Sequence, residues 1–365
     1  MAVVNETVRF DQMKDVKEFD YFKIGVKGLA DSGITTIPSF FVQPPEILSD
    51  LKSFSSTCTE IPIIDLSDVN SDLHRPKIVE QIREAARTCG FFQVINHGVP
   101  VSVLDETIAA IKAFHEQPPE VKAEKYTREE GQSVMYASNY DMYRAKVAAS
   151  WYDSLQVWMG PEAPKEEDIP AMCRKEVVQW DIHAKKVADT VFELLSEGLG
   201  LERGKFKELG FSDSRLFMGH CYPFCPQPDL TIGIRSHSDY ALMAVLLQNQ
   251  VPGLQIKHGD GWVDVKPLRG GLIINIGDSL QIISNDEYKS VEHRVLANSS
   301  KEPRISTVEF FHADNRNGSA CFGPLPELLS PEKPAIYRNF TMKEFLEIFY
   351  TKGVHSKSLV KELKL

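Results

Sequence analysis

The second half of the chain is a series of short β-like runs, and this pattern restricts the possible folds more than any other feature. From about residue 213, turn residues (Pro, Gly, Asn and Asp) separate the runs RLFMGHCYP, TIGIRSHSD, ALMAVLLQ, GLQIKHGDGWVDVKP, GLIINIGDSLQIIS, EHRVLAN and RISTVEFFH. The clearest hairpin is LQIKHGDGWVDV, because Gly259-Asp260-Gly261 can adopt the positive φ values of a tight turn. Repeated short strands of this kind predict a sandwich or a double-sheet jelly roll.

The first half mixes the two kinds of secondary structure. IPIIDLS at 61–67 and GFFQVINHG at 90–98 are typical of buried strands, and the apolar periodicity between them predicts a helix over Ile78–Thr88. Helical periodicity returns at 101–115 and over 177–200. We therefore expect an α+β protein that is mainly β with flanking helices.

The same patterns predict four regions. We expect an N-terminal extension over 1–60 that packs on the core, a mixed helical and strand region over 61–210, and a β-rich catalytic core over 211–320. A C-terminal helical segment over 321–365 completes the chain, with a last helix that begins near Thr341.

Composition excludes several classes of partner. The formal net charge is −10, and we find no long Lys/Arg run that could follow a phosphate backbone, so a nucleic acid partner is not expected. There is neither a signal-peptide pattern at the N-terminus nor an apolar stretch of membrane-spanning length. Six scattered cysteines fit reduced thiols better than a disulfide framework. We therefore expect a cytoplasmic protein without a membrane partner, and a monomer as the default.

Two histidines and an aspartate form a candidate metal site. The chain has ten histidines, so a single histidine carries little information. His237 and Asp239 are two residues apart at a predicted strand end, so both side chains project to one face. His293 begins a later predicted strand, which in a closed double sheet can return beside the first. Two imidazoles and one carboxylate suit Fe(II), since they leave three octahedral positions open, although zinc also accepts these ligands.

Arg304 and Ser306 favour iron over zinc. In a strand, these two residues project to the same face and offer a guanidinium and a hydroxyl. A 2-oxo acid that chelates iron needs its distal carboxylate neutralised, and a bidentate arginine does this better than a lysine. Tyr222 could add its phenol to the same carboxylate. His237, Asp239 and His293 together with the Arg304–Ser306 pair predict a site for iron and 2-oxoglutarate.

These motifs resemble those of the plant 2-oxoglutarate/Fe(II)-dependent dioxygenases. The resemblance runs from IPIIDLS through GFFQVINHGVP, CYPFCPQPDL, HSD and GGLIINIGDSLQIISNDEYKSVEHRVLAN to RIS. Within that family, GVKGLADSGITTIP, MGHCYP and NDEYKSVEHRVLAN are most similar to the homologues of 1-aminocyclopropane-1-carboxylate oxidase. The resemblance implies a distorted double-stranded β-helix, which is a jelly roll of the cupin kind.

The resemblance also implies a role for each site residue. His237, Asp239 and His293 would bind iron, while Arg304, Ser306 and Tyr222 would hold the distal carboxylate of 2-oxoglutarate. The catalytic residues would be the three iron ligands, and Phe310, Met218 and Tyr240 would face the substrate. The family's common Asn-Tyr-Tyr-Pro run appears here as His220-Cys221-Tyr222-Pro223, so the contact from position 220 departs from the usual pattern.

The function implied is hydroxylation of a small specialised metabolite that consumes 2-oxoglutarate and O2, releases succinate and CO2, and is supported by ascorbate. Pocket aromatics such as Phe310, and also Tyr136 or Tyr140, favour an apolar or aromatic substrate. Three alternatives stay open at this point: an ascorbate-dependent oxidase of the ethylene-forming type, a non-catalytic metal-binding jelly-roll protein, and a zinc hydrolase.

Overall fold

The structure is a computed structural model that describes residues 3–51, 60–129, 131–139, 142–143, 148–313, 321–352 and 358–365. Its α-helices are α1 Val3–Phe22, α2 Gly25–Asp31, α3 Pro45–Asp50, α4 Arg75–Thr88, α5 Val101–His115, α6 Pro119–Ala123, α7 Arg174–Gly198, α8 Lys205–Glu208, α9 Asp278–Ile283, α10 Met342–Lys352 and α11 Ser358–Glu362. Its strands are β1 Ile63–Asp65, β2 Phe91–Ile95, β3 Val134–Ser138, β4 Asp153–Trp158, β5 Ser214–Tyr222, β6 Ile232–His237, β7 Met243–Gln248, β8 Leu254–His258, β9 Gly261–Asp264, β10 Leu272–Ile276, β11 His293–Leu296, β12 Arg304–His312, β13 Cys321–Phe322 and β14 Phe340–Thr341.

Two sheets form the double-layered core. The major sheet has eight strands in the order β1-β2-β10-β7-β12-β5-β4-β3, and the minor sheet has four in the order β6-β11-β8-β9. Except for the parallel β1–β2 pair, the pairings within these two sheets are antiparallel. The mainly β architecture with flanking helices, expected from the short runs after residue 213, is thereby confirmed. The predicted hairpin is β8–β9, in which His258 pairs with Gly261.

Strand β12, which with β5 is one of the two longest strands of the core, presents different chemistry on its two faces. Arg304, Ser306 and Phe310 alternate with Ile305 and Phe311, so the two sets project to opposite sides of the major sheet. Ile305 and Phe311 pack in the large apolar cluster with residues of the helices. The face that carries Arg304, Ser306 and Phe310 therefore points toward the minor sheet, across the space between the two sheets.

Helices cover the outer face of the major sheet. Helix α7 packs on α4 and α5, and α5 lies against β12 and β5. The apolar periodicity of α7 places Trp180, Val191 and Leu195 in this cluster, where all three are fully buried. Among the described residues, no helix combines the length and apolar character that a membrane span requires.

The N-terminal segment is tied to the core by two buried charged residues. The Asp153 carboxylate of β4 accepts hydrogen bonds from the backbone N–H groups of Val26 and Lys27 at the start of α2, both at 2.8 Å. Arg294 of β11 donates to the Asp50 carboxylate at the end of α3 at 2.7 Å, and its guanidinium lies 3.8 Å from the Trp262 ring centroid. The division of the chain into four regions stays a prediction.

One predicted strand run ends earlier than its sequence suggests. GLIINIGDSLQIIS was predicted as one β-like run, yet β10 ends at Ile276 and α9 begins at Asp278. At Gly277 the chain passes so close to Ala241 that a Cβ atom would lie 2.0 Å from the Ala241 carbonyl oxygen. The Asp278 N–H then donates to the Asp239 carbonyl at 2.7 Å. This contact between distant segments turns the chain into a helix.

Candidate active site

His237, Asp239 and His293 come together in one cluster. Their potential ligand atoms all lie within 4.8 Å of one another. The Nε2 atoms of His237 and His293 each lie 3.6 Å from an Asp239 carboxylate oxygen, and the two imidazole centroids are 4.2 Å apart. One carboxylate and two imidazole nitrogens that converge on one point form a donor set that fits Fe(II).

Strand pairing explains why residues so distant in sequence meet. His237 ends β6 and His293 begins β11, and the two residues are register partners in the minor sheet. Asp239 lies just beyond the end of β6, where the hydrogen bond from Asp278 holds its backbone. The cluster is therefore at the point where the minor sheet meets the loop from β6 to β7.

Backbone carbonyls set the orientation of both imidazoles. The Nδ1 atom of His237 lies 2.8 Å from the Arg235 carbonyl oxygen, and that of His293 lies 3.3 Å from the Val291 carbonyl oxygen. A carbonyl only accepts, so Nδ1 carries the hydrogen in each ring and Nε2 keeps its lone pair. Both lone pairs are thus available on the side of Asp239, as metal coordination requires.

Asn275 supports the carboxylate of the cluster. Its Nδ2 donates to Asp239 Oδ2 at 2.7 Å, and the Asn275 side chain is buried. A hydrogen bond to the carboxylate restricts its rotation and leaves its other lone pairs for a metal. Sequence reasoning missed Asn275, because β10 is apolar and buried on both faces and shows no alternation that would single out one face.

Arg304 lies at a second polar site on the inner face of β12. Its guanidinium is fully buried and donates to Gln248 Oε1 at 2.7 Å and to Ser306 Oγ at 3.3 Å. Among the described residues it forms no ion pair with a carboxylate, and its Nε has no hydrogen-bond partner. Burial lowers the pKa of Arg304. A buried cation without an acidic partner is costly, and a bound carboxylate would supply the missing charge.

Two neighbours complete this site. Tyr222 pairs with Arg304 in register, and the Tyr222 ring centroid lies 4.9 Å from the guanidinium carbon. Gln248, on the opposite flanking strand, has a buried Nε2 without a hydrogen-bond partner. Two donors at this site are therefore unused, Nε of the Arg304 guanidinium and Nε2 of Gln248, and such a donor set fits an anionic ligand. Sequence reasoning missed Gln248.

His220 is close enough to both Arg304 and Asp239 for their charges to influence its pKa. It is the register partner of Ser306, and its Nδ1 lies 2.6 Å from Ser154 Oγ. Burial lowers the pKa of His220 to about 3, and the nearby charge of Arg304 acts in the same direction. The imidazole is therefore neutral at physiological pH and adds no charge beside the Arg304 guanidinium.

The predicted substrate-facing residues occupy the remaining inner surface. Met218 and Phe310 lie on the same faces of β5 and β12 as Tyr222 and Arg304, and Tyr240 follows Asp239 directly. All three are only partly buried. Their contact with substrate stays a prediction.

The sequence also suggested Tyr136 or Tyr140 for this surface. Tyr136 is fully buried on the outer face of the major sheet, where it packs on Phe114 and Tyr126, so this interpretation was wrong. Tyr136 pairs in register with Leu155 of β4. Directly paired residues project to the same face of a sheet, and Leu155 packs in the large apolar cluster under the helices. The Tyr136 side chain therefore points away from the minor sheet. Tyr140 lies outside the described residues.

Comparison with known families agrees with this geometry. Residues 212–313 match the model of the 2OG-Fe(II) oxygenase superfamily, and residues 61–180 match the N-terminal model described as non-haem dioxygenase in morphine synthesis N-terminal. The first match covers both candidate polar sites.

Similar proteins span nearly the whole chain. The 1-aminocyclopropane-1-carboxylate oxidase homolog 6 of Arabidopsis thaliana is 46% identical over 99% of this chain and 100% of its own length. A homolog from Solanum lycopersicum is 41% identical over 98% of each chain. The crystal structure of JOX2 in complex with 2OG, Fe and JA has a TM-score of 0.81 at 30% identity, covering 94% of this chain and 98% of that one.

The zinc hydrolase and the non-catalytic protein are not supported by these relationships. One class of enzyme agrees with all the observations. The metal-ligand cluster fits Fe(II), the buried Arg304 cation suits a dicarboxylate, and the family matches are to oxygenases that use both. The chain accordingly belongs to the plant 2-oxoglutarate/Fe(II)-dependent oxygenases, in the branch of the 1-aminocyclopropane-1-carboxylate oxidase homologues.

Proposed function

We propose that this oxygenase hydroxylates a small, mainly apolar specialised metabolite. In this proposal the iron ligands are His237, Asp239 and His293, and the distal carboxylate of 2-oxoglutarate is held by Arg304, Ser306 and Tyr222. The observation that carries the proposal is the buried Arg304 guanidinium, which has no carboxylate partner among the described residues. It lies on the inner face of the major sheet, the face that points toward the minor sheet with its cluster of two histidines and an aspartate.

When bound, Fe(II) with 2-oxoglutarate and O2 supplies the oxidising power, with succinate and CO2 as co-products. The residues of the chain supply position and environment. His237, Asp239 and His293 would hold the iron as its three protein ligands and would leave coordination positions open for the co-substrate and O2. Arg304 fixes the far end of the co-substrate by charge and by directed donors. Partly buried apolar side chains at Met218, Tyr240 and Phe310 favour an apolar substrate.

The first experiment is an anaerobic visible spectrum of the protein with Fe(II), before and after 2-oxoglutarate is added. We expect a new metal-to-ligand charge-transfer band in the wild-type protein. In Arg304→Ala we expect the Kd for 2-oxoglutarate to rise at least about 30-fold, because truncating one partner of a buried charge pair costs about 2–5 kcal/mol. The Kd for Fe(II) should stay close to the wild-type value.

Arg75→Ala is the matched control. Arg75 is also buried, but it lies on α4 and pairs with Glu193 and Glu197 on the outer side of the molecule. We expect a normal Kd for 2-oxoglutarate in this variant. Absence of the band in the wild-type protein, or an equal loss in both variants, would contradict the assignment of Arg304. Turnover that requires ascorbate but not 2-oxoglutarate would favour oxidation of the ethylene-forming type.

The reaction outcome is tested separately by mass spectrometry of products from an apolar metabolite panel. Hydroxylation predicts a product that gains one oxygen atom, with one succinate formed for each product molecule. Loss of two hydrogens or of a methyl group would instead indicate desaturation or demethylation and would contradict the proposed outcome.

A further inference from the structure

One buried histidine beside the active site has no part in the iron or 2-oxoglutarate sites. His312 ends β12 and lies on the same strand face as Arg304, Ser306 and Phe310. Its side chain is 5% exposed, and its Nε2 is buried without a hydrogen-bond partner. A buried polar atom without a partner costs free energy, so its presence on the inner face of the major sheet calls for a functional explanation.

Three aromatic side chains surround this imidazole. The Tyr240 ring is stacked on it with centroids 4.9 Å apart and planes at 26°. The centroids of Trp158 and Phe310 lie 5.7 and 6.3 Å from it. We call Trp158, Tyr240, Phe310 and His312 the aromatic wall. Its three other members are only partly buried, so the wall borders space that solvent reaches.

The aromatic wall is directly connected to the candidate iron site. Tyr240 follows Asp239 in sequence, and the Asp239 carboxylate is close enough to influence the pKa of His312. Burial outweighs this influence and lowers the pKa of His312 to about 4. The ring is therefore neutral at physiological pH, with one nitrogen that donates and one that accepts.

The chemistry of a neutral imidazole restricts the complementary group on a substrate. A hydroxyl both donates and accepts, so it can pair with Nε2 in either tautomer of His312. A carboxylate would lose its hydration against an uncharged ring and apolar neighbours, without a cation from the wall to replace it. A flat ring system would also stack on the aromatic members of the wall.

We propose that His312 is a specificity-determining residue, whose Nε2 hydrogen-bonds to the hydroxyl of a neutral aromatic substrate held against the aromatic wall. Because Nε2 has almost no solvent-accessible surface, a neighbouring side chain must shift for the substrate hydroxyl to reach it. The inference rests on the proposed function and narrows its substrate class to hydroxylated aromatic molecules.

The test compares two ligands of similar shape, 2-naphthol and 2-methylnaphthalene, added anaerobically to the Fe(II)–2-oxoglutarate complex. Their Kd values follow from the change in the charge-transfer band and from quenching of tryptophan fluorescence. We expect the wild-type protein to prefer 2-naphthol about tenfold, equivalent to about 1.4 kcal/mol. His312→Phe should remove the preference, and His312→Gln should restore part of it, because its amide reaches a position similar to Nε2.

His115→Phe is the matched control. His115 is also buried with an unpaired ring nitrogen and aromatic neighbours, but it lies at the end of α5 on the outer side of the major sheet. This control should keep the wild-type preference, and the Kd for 2-oxoglutarate should be unchanged in every variant that folds.

Each outcome separates this inference from the proposed function. A missing charge-transfer band in the wild-type protein would overturn the proposed function itself. A normal band with equal affinities for the two ligands, with no response to either, or with a preference that persists in His312→Phe would overturn the role of His312 alone.

Discussion

The carboxamide of Asn275 donates to Asp239 Oδ2 at 2.7 Å inside a buried site, and removing it should weaken iron binding. A hydrogen bond to a charged group contributes about 1.5–3 kcal/mol. Loss of such a support for a metal ligand typically lowers metal affinity about 10–100-fold. We therefore expect the Kd of Asn275→Ala for Fe(II) to rise by a factor within that range, because the Asp239 carboxylate is then free to rotate away from His237 and His293.

The assay is an anaerobic Fe(II) titration of the apo-protein, with thermal unfolding of the same samples as a check on folding. Gln43→Ala is the control, since Gln43 is also a buried amide but lies in the N-terminal segment and donates to the Ala149 carbonyl at 2.8 Å. An Fe(II) Kd for Asn275→Ala within twofold of the wild-type value, in a folded protein, would refute the reasoning that this hydrogen bond holds the ligand in place.

Two other predictions follow from the site and from the buried histidines. His237→Ala should abolish 2-oxoglutarate-dependent succinate formation and leave the folded protein intact, and wild-type activity in this variant would contradict its role as an iron ligand. Burial lowers the pKa values of His115 and His220 to about 3 and of His312 to about 4. Each unfolded histidine binds a proton near its ordinary pKa of 6.5 while the folded one does not, so stability should fall as pH decreases below about 6.5, by up to about 4 kcal/mol per pH unit while all three differ in protonation. Urea unfolding at several pH values measures this dependence of the unfolding free energy on pH. In His115→Phe one fewer proton is taken up on unfolding, so the slope should be smaller by about 1.4 kcal/mol per pH unit. An unchanged slope would show that this histidine is not buried in its neutral form.

The main chemical features of the candidate site could be predicted from local sequence. His237 and Asp239 are separated by one residue at a strand end, and Arg304 and Ser306 are separated by one residue within a strand, so side-chain alternation alone places each pair on one face. The structure brings the first pair to His293 and the second to Tyr222, through the β6–β11 and β12–β5 registers. Local spacing was informative because Arg304 and Ser306 lie within β12, and Asp239 follows His237, the last residue of β6, by only two positions.

Asn275 and Gln248 could not be recognised in the same way. Each is one polar residue in a strongly apolar strand run, and such a residue is compatible with several environments. Their partners, Asp239 and Arg304, lie on other segments of the chain, 36 and 56 residues away. Only the pairing of strands determines that these amides reach a carboxylate and a guanidinium, respectively.

The sequence by itself determined the alternation of short strands, the donor types of the candidate metal site and the charge of the co-substrate site, because these depend on residue type and on spacing within one strand. Tertiary structure decided which face of each strand borders the cavity. It turned Tyr136 outward into the helical layer and placed His312 beside Tyr240 in the aromatic wall. The physical reason is that side-chain direction alternates with a period of two, so each residue's environment depends on long-range register and on which sheet face the helices cover.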